Sequence, residues 1–169
     1  MAGNKYIKND AGTLTEQAAI QSSAGAGDAG KIVALDAAGL LDNSMMPVGI
    51  GADTAAIVTS ENLAAGDLVN IYNDAGTAKA RKADATTSGK HAHGFVLSAV
   101  TSPAEATVYF AGTNTAVTGM TPGDLYLSTT AGAAVSTAPS AAGNVVQRVG
   151  VAVSETAINF EAAQPIVLA

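Results

Sequence analysis

The sequence predicts an all-β protein, a small duplicated β-barrel or β-sandwich preceded by an extended N-terminal arm. Three observations support this class. From about residue 54 onward, short apolar stretches alternate with turn residues at spacings of about 8–14 residues. No long segment with helical periodicity competes with them. The last two thirds of the chain also contain a degenerate internal repeat, which is typical of a domain built by duplication.

The arm comprises residues 1–51 and consists of turn clusters separated by apolar stretches too brief to close a core. Thr13 as N-cap, with Glu16 at capping-box spacing, predicts one or two helical turns over residues 14–20. Residues 31–35 and 40–41 flank an Asp-Ala-Ala-Gly turn, which predicts a small hairpin. Pro47, with the glycines that follow it, is interpreted as the hinge into the domain.

The domain comprises residues 52–169, and its repeat relates about residues 66–100 to about residues 123–156. Gly66 and Asp67 match Gly123 and Asp124, and Gly94 matches Gly150, at an offset of about 56 residues. Alternation around Val69–Tyr72 and Val145–Val149 predicts strands with one apolar and one solvated face. The predicted strands are 55–60, 67–73, 78–82, 94–100, 106–111, 124–128, 133–136, 145–153, 157–160 and a last run at 165–168.

Composition narrows the function classes. Hydrophobic residues make up 48 % of the chain but aromatics only 4 %, so little apolar area is buried per residue and we expect oligomerisation or docking to add stability. The net charge of −6 disfavours nucleic acid and anionic membranes as partners. The absence of cysteine excludes disulfides and thiolate sites. With no signal peptide and no membrane-spanning stretch in the sequence, we expect a soluble protein made in a cytoplasm.

Two motifs suggest chemistry, and neither is complete. Gly25–Lys31 matches part of a phosphate-binding loop, but no strand precedes it, no helix is predicted after it, and Ile32 occupies the hydroxyl position. His91 and His93 would share one face of a strand, but they lack an evident third metal ligand. We interpret the first as a flexible loop and the second as polar residues at a strand start. The expectation is a protein without cofactor, metal or catalytic site, and not an enzyme.

A basic hairpin gathers much of the positive charge at Lys79, Arg81 and Lys82, with Lys90 and the two histidines close by in sequence. An alternating basic strand is most often a solvated face or a blunted sheet edge, which is the favoured interpretation. The functional alternative is an electrostatic dock for an acidic protein surface.

The stretch from Gly30 to Pro47, GKIVALDAAGLLDNSMMP, resembles a linker of bacteriophage head-fibre and tail-fibre proteins. The match is carried by Gly30, Lys31, Ala34, Leu35, Asp36, Gly39, Leu41, Asp42, Ser44 and Pro47, and it departs at Leu40, where a polar or basic residue is usual. The C-terminal pattern from Gly123 is similar to small β-domains of phage head-decoration and fibre proteins.

The resemblance implies a capsid decoration (cement) or head-fibre protein, a homotrimer on the outer capsid surface of the virion, with the major capsid protein as its partner. The residues expected to dock on the capsid are Lys31, Leu35, Leu41 and Pro47 in the arm and Lys79, Arg81 and Lys82 in the basic hairpin. The alternative is a tail-fibre or baseplate attachment module that recognises a host receptor. A chain poor in aromatics favours it less, since such residues carry binding hot spots.

Overall fold

A computed structural model describes residues 4–46 and 51–169. The chain divides into two compact units, residues 1–51 and 52–169. The described residues form β-strands and two short 3-10 helices but no α-helix, which confirms the predicted all-β fold class. The prediction that Pro47 is a hinge falls outside the described residues.

The N-terminal unit begins with a hairpin of β1 (Lys5–Asp10) and β2 (Thr13–Ala18), so the predicted helical turn over 14–20 is wrong. Ala11 and Gly12 at the turn both have positive φ, which matches the right-handed twist of paired strands. The Asn9 Oδ1 atom accepts a hydrogen bond from the Gly12 N–H at 2.9 Å and closes the turn. This turn places Thr13 opposite Asp10 instead of at a helix start.

The predicted hairpin over 31–41 is also wrong, because no strand ladder forms there. The backbone N–H of Asp36 donates to the carbonyl of Leu40, and the Asp36 carboxylate accepts from the N–H groups of Ala38 and Leu40, so the segment is a loop. Val33 forms an isolated parallel bridge with Ile20 instead. Two 3-10 helices, Ala26–Asp28 and Asn43–Met45, complete the unit.

The C-terminal unit begins with a closed barrel of five strands. They are β3 (Thr54–Thr59), β4 (Leu68–Asp74), β5 (Thr77–Lys82), β6 (Gly94–Val96) and β7 (Glu105–Tyr109), in the order β3-β5-β4-β6-β7. The barrel closes because β3 pairs with β5 in parallel and with β7 antiparallel.

A second, open sheet follows in the order β10-β9-β12-β13-β8. Its strands are β8 (Gly112–Asn114), β9 (Gly123–Leu127), β10 (Ala134–Val135), β12 (Arg148–Ser154) and β13 (Ala157–Phe160). β11 (Val145–Val146) pairs only with β14 (Ile166–Val167), so the predicted strand 145–153 is split at Gln147, where the chain passes from one sheet to the other. β8 was not predicted.

The barrel and the open sheet have the same spatial order of strands. In the barrel, β5, β4, β6, β7 and β3 lie side by side, and in the open sheet β10, β9, β12, β13 and β8 do the same. The strands that begin near Gly66 and Gly123 therefore hold the same place in their sheets, as do those that contain Gly94 and Gly150. The sequence repeat thus coincides with a repeated topology.

Two clusters of buried residues stabilise the C-terminal unit. One fills the barrel and includes Val69, Ala80, Val96 and Val108. The other joins the barrel to the open sheet, where the Phe95 ring packs against the rings of Tyr109 and Phe160. Its buried members are Leu68, Ala83, Ala85, Ala92, Phe95, Leu125, Leu127, Val149, Ala152, Ile158 and Phe160. The strands at this junction are covered on both faces.

Candidate functional site

The N-terminal unit exposes large apolar side chains, and its described residues form no buried core. None of residues 4–46 is buried. We call its eight exposed large hydrophobic residues the apolar set, and its members are Ile7, Leu14, Ile32, Val33, Leu35, Leu40, Leu41 and Met46. Their exposed fractions reach 70 % at Leu14. Exposed apolar surface on this scale is typical of a segment that contacts another protein.

Hairpin geometry brings two members of the apolar set together. Ile7 lies opposite Glu16 in the ladder, and Leu14 lies opposite Asn9. Since directly opposed and alternate residues share a face, Ile7 and Leu14 lie on the same face as diagonal neighbours. An isolated two-stranded hairpin is marginally stable in water, so a surface that covers this face would stabilise it.

The loop of the N-terminal unit presents Leu35 and Leu41, two of the expected docking residues, at 51 % and 45 % exposure. Hydrogen bonds hold this loop in place of a core. The Gln21 side chain donates to the Leu35 carbonyl at 2.7 Å, and the Asp42 carboxylate accepts from the Ser44 N–H and hydroxyl. These two bonds to Asp42 lower the pKa of its carboxyl. Pro47, the fourth expected docking residue of the arm, lies outside the described residues.

The lysines of the N-terminal unit are paired within it. Lys31, expected to dock, donates to the Asp28 carboxylate at 2.6 Å, and this bond together with the Ala24 N–H lowers the pKa of Asp28. Lys5 pairs with Glu16, and Lys8 pairs with Asp10 at 3.6 Å. Such exposed pairs contribute little to stability, but they leave a surface on which apolar groups dominate over unpaired charge.

The basic hairpin does not lie at a sheet edge, which was one of the two favoured interpretations. β5 lies between β3 and β4 in a closed barrel, so it is not a sheet edge. The Lys79 ammonium lies 2.5 Å from the Asp74 carboxylate, which raises the pKa of Lys79. The Lys82 ammonium lies 3.1 Å from the Asp67 carboxylate. Both lysine charges are therefore compensated inside the domain, which weakens the case for an electrostatic dock.

Arg81, the third basic residue, belongs to a polar network. Its Nε donates to Asn70 Oδ1 at 2.9 Å, and its guanidinium lies 4.2 Å from the centre of the Tyr72 ring. Asn70 is fully buried, and its Nδ2 donates to the His91 carbonyl at 2.7 Å. Arg81 thus holds the barrel wall together and is not a free cation.

Sequence alternation placed Asn70 on the solvated face of its strand, and this placement is wrong, whereas Gln147 shares a face with Val145 and Val149 and is buried with them. Asn70 is 0 % exposed and Gln147 is 1 % exposed. The Gln147 amide donates to the carbonyls of Ala92 and Ala163 and accepts from the Ala92 N–H at 2.7 Å, so it joins three segments. Asn70 lies between Val69 and Ile71, and this alternation gives no signal that both faces of the strand are covered.

His91 and His93 line a cleft of about 430 Å³ together with Phe110, Phe160 and residues 161–165. The two rings meet edge to face, with centroids 4.4 Å apart. Within the described ranges 4–46 and 51–169, no group of three or more metal-binding side chains occurs. Gly25–Lys31 contains the 3-10 helix Ala26–Asp28, and the Asp28 carboxylate accepts a hydrogen bond from the Ala24 N–H. No strand leads directly into this segment and no α-helix follows it, so it is a loop and lacks the surroundings of a phosphate-binding loop.

No protein-family model, curated protein or solved structure shows significant similarity to this chain. Across the described part of the chain there is also no helix with the length and apolarity needed to cross a membrane.

Proposed function

We propose that this chain is a bacteriophage virion structural protein, a capsid decoration protein that binds the outer surface of the assembled head and stabilises it. The N-terminal unit carries the proposal, because it exposes the apolar set and buries none of its residues 4–46. Its stretch from Gly30 to Pro47 also resembles the linker of phage head- and tail-fibre proteins. Exposed apolar side chains of this kind are typical of a segment whose apolar surface becomes buried only when it binds a partner.

In this proposal the two units have different roles. The N-terminal unit docks on the major capsid protein, while the C-terminal unit, which has its own core, stands above the lattice. A protein that binds only the assembled lattice stabilises it by mass action. A homotrimer, as the resemblance implies, docks through three arms at once and gains avidity from the linkage. No catalytic step is part of this role.

Apolar contacts, not ion pairs, provide the docking energy in this proposal. The described lysines of the N-terminal unit pair with carboxylates of the same unit, and Lys79 and Lys82 pair within the barrel. Attachment should therefore persist at high salt, where electrostatic docking weakens. Attachment that falls steeply with added salt would favour the basic hairpin as the contact.

The direct test compares variants for binding to capsids that lack the protein. Leu35→Asp with Leu41→Asp should weaken binding at least tenfold, because burial of each leucine contributes about 1.5–3 kcal/mol. Val153→Asp is the matched control, since Val153 is at least as exposed, at 59 %, but lies in the C-terminal unit. Unchanged binding by the leucine variant, or equal losses in both, would contradict docking through the arm.

The properties of particles that lack the protein distinguish a head protein from a tail protein. A decoration protein should leave virions that adsorb normally but burst at lower temperature, because lattice stabilisation has been lost. Particles with unchanged heat resistance and lost adsorption would instead indicate a tail-fibre or baseplate module and would refute the proposal.

A further inference from the structure

The His93 side chain takes the place of a strand at the edge of β4. Pairing between β4 and β6 ends at Val69 and Gly94, and the Val69 carbonyl still accepts from the His93 N–H. The next N–H of β4 on that edge belongs to Ile71, and it donates to His93 Nδ1 at 2.9 Å. The imidazole thus closes the edge of the barrel where the ladder stops.

The surroundings of His93 Nδ1 require an unprotonated nitrogen. Arg81 can only donate, so the Asn70 Oδ1 atom that accepts from it must be an oxygen, and Asn70 Nδ2 then faces His91 and His93. Nδ1 therefore meets two donors, the Ile71 N–H and the Asn70 Nδ2 at 3.4 Å. The ring must be neutral, with its proton on Nε2.

Burial and neighbouring cationic groups oppose protonation of the ring, and one carboxylate nearby favours it. Burial, together with the nearby His91, lowers the pKa of His93. The Arg81 guanidinium of β5 is joined to the ring through Asn70. The carboxylate of Glu161 lines the cleft from the C-terminal segment. It lies 3.8 Å from an Arg148 nitrogen, so its charge is shared with another cation.

We propose that His93 is an acid-sensitive clamp whose protonation releases the Ile71 N–H and loosens the His93 segment on β4. The imidazolium presents an N–H where the barrel supplies two donors, so that contact must break. The Gln147 amide still holds Ala92 and Ala163, so the opening is confined to the contact between His93 and β4. The C-terminal unit is closed at neutral pH and opens locally in acid, whatever the protein attaches to.

Amide hydrogen exchange of the full chain, followed by NMR between about pH 7.5 and pH 5, tests the clamp. The Ile71 protection factor should fall below about pH 6.5, by a factor that approaches ten per pH unit without exceeding it, since one partly exposed group titrates. His93→Gln keeps an acceptor for the Ile71 N–H but cannot titrate, so its protection should not depend on pH. His91→Gln, the matched control, should keep the onset near pH 6.5 but end the dependence at a higher pH, because it removes one cause of the lowered pKa of His93.

The same pH dependence in His93→Gln would overturn the clamp, as would Ile71 protection that is constant down to pH 5 in the wild type. Imidazole nitrogen shifts of the wild-type protein provide a second test that needs no variant. They should report a proton on Nε2 of His93 and a pKa below the ordinary value of 6.5. A proton on Nδ1, or a pKa above that value, would refute the clamp.

Discussion

Replacement of Gly150 by alanine should destabilise the C-terminal unit more than the same change at Gly123. Both glycines have positive φ, +139° at Gly150 and +130° at Gly123. A Cβ on Gly123 would meet nothing within 4 Å, whereas a Cβ on Gly150 would lie 2.1 Å from the backbone oxygen of Asn159 in β13. Comparison of the two alanine variants therefore distinguishes the cost of backbone strain, which both have, from the cost of steric overlap, which only the Gly150 variant has.

The magnitude follows from these two terms. A side chain held at such a φ costs about 1–3 kcal/mol, and this term is common to both variants. At Gly150, β13 must also move away from β12, and forced displacement of packed backbone costs about a further 1–3 kcal/mol. The register shift between Arg148 and Gly150 shows that the ladder with β9 is already irregular at this site.

Thermal unfolding of the two variants measures the difference. With an unfolding entropy of about 2.1 cal/mol/K per residue over residues 52–169, one kcal/mol shifts Tm by about 4 °C. Gly150→Ala should therefore melt about 4–12 °C below Gly123→Ala, which should itself melt below the wild type. Equal melting temperatures for the two variants would show that the overlap with Asn159 is relieved without cost.

Three further changes test other parts of the fold. Ala75→Asn should stabilise the β4–β5 turn by about 0.5–1 kcal/mol, because Ala75 has φ +50° and Asn-Gly is preferred there; an unchanged urea midpoint would contradict this. Gln147→Leu should cost about 2–5 kcal/mol in urea unfolding, because it leaves groups of Ala92 and Ala163 unpaired; a loss below about 1 kcal/mol would mean that water replaces the amide. The lowered pKa of His93 means that the unfolded chain binds its proton more readily. Stability should thus be constant above about pH 6.5 and decline below it until that lowered pKa is reached, with no such decline in His93→Gln.

Turn chemistry made the all-β class predictable, because it acts over a few neighbouring residues. The Asn-Asp-Ala-Gly sequence occurs at residues 9–12 and 73–76, and in both places Ala and Gly adopt positive φ between paired strands. The N-terminal copy also explains why the capping-box pattern at Thr13 failed. A cap contributes about 1 kcal/mol to a short helix, and the hairpin offers six paired positions instead.

The roles of Asn70, Arg81, His93 and Gln147 depend on distant parts of the chain. Alternation predicts which residues share a face of a strand, but not what covers that face. β5 pairs with one edge of β4, and His91 and His93 lie against Asn70, which the sequence pattern placed in solvent. Local residue preferences therefore determined the strands and turns, whereas tertiary packing decided which polar residues were buried. A buried polar group needs partners, and those partners lie up to 55 residues away in sequence.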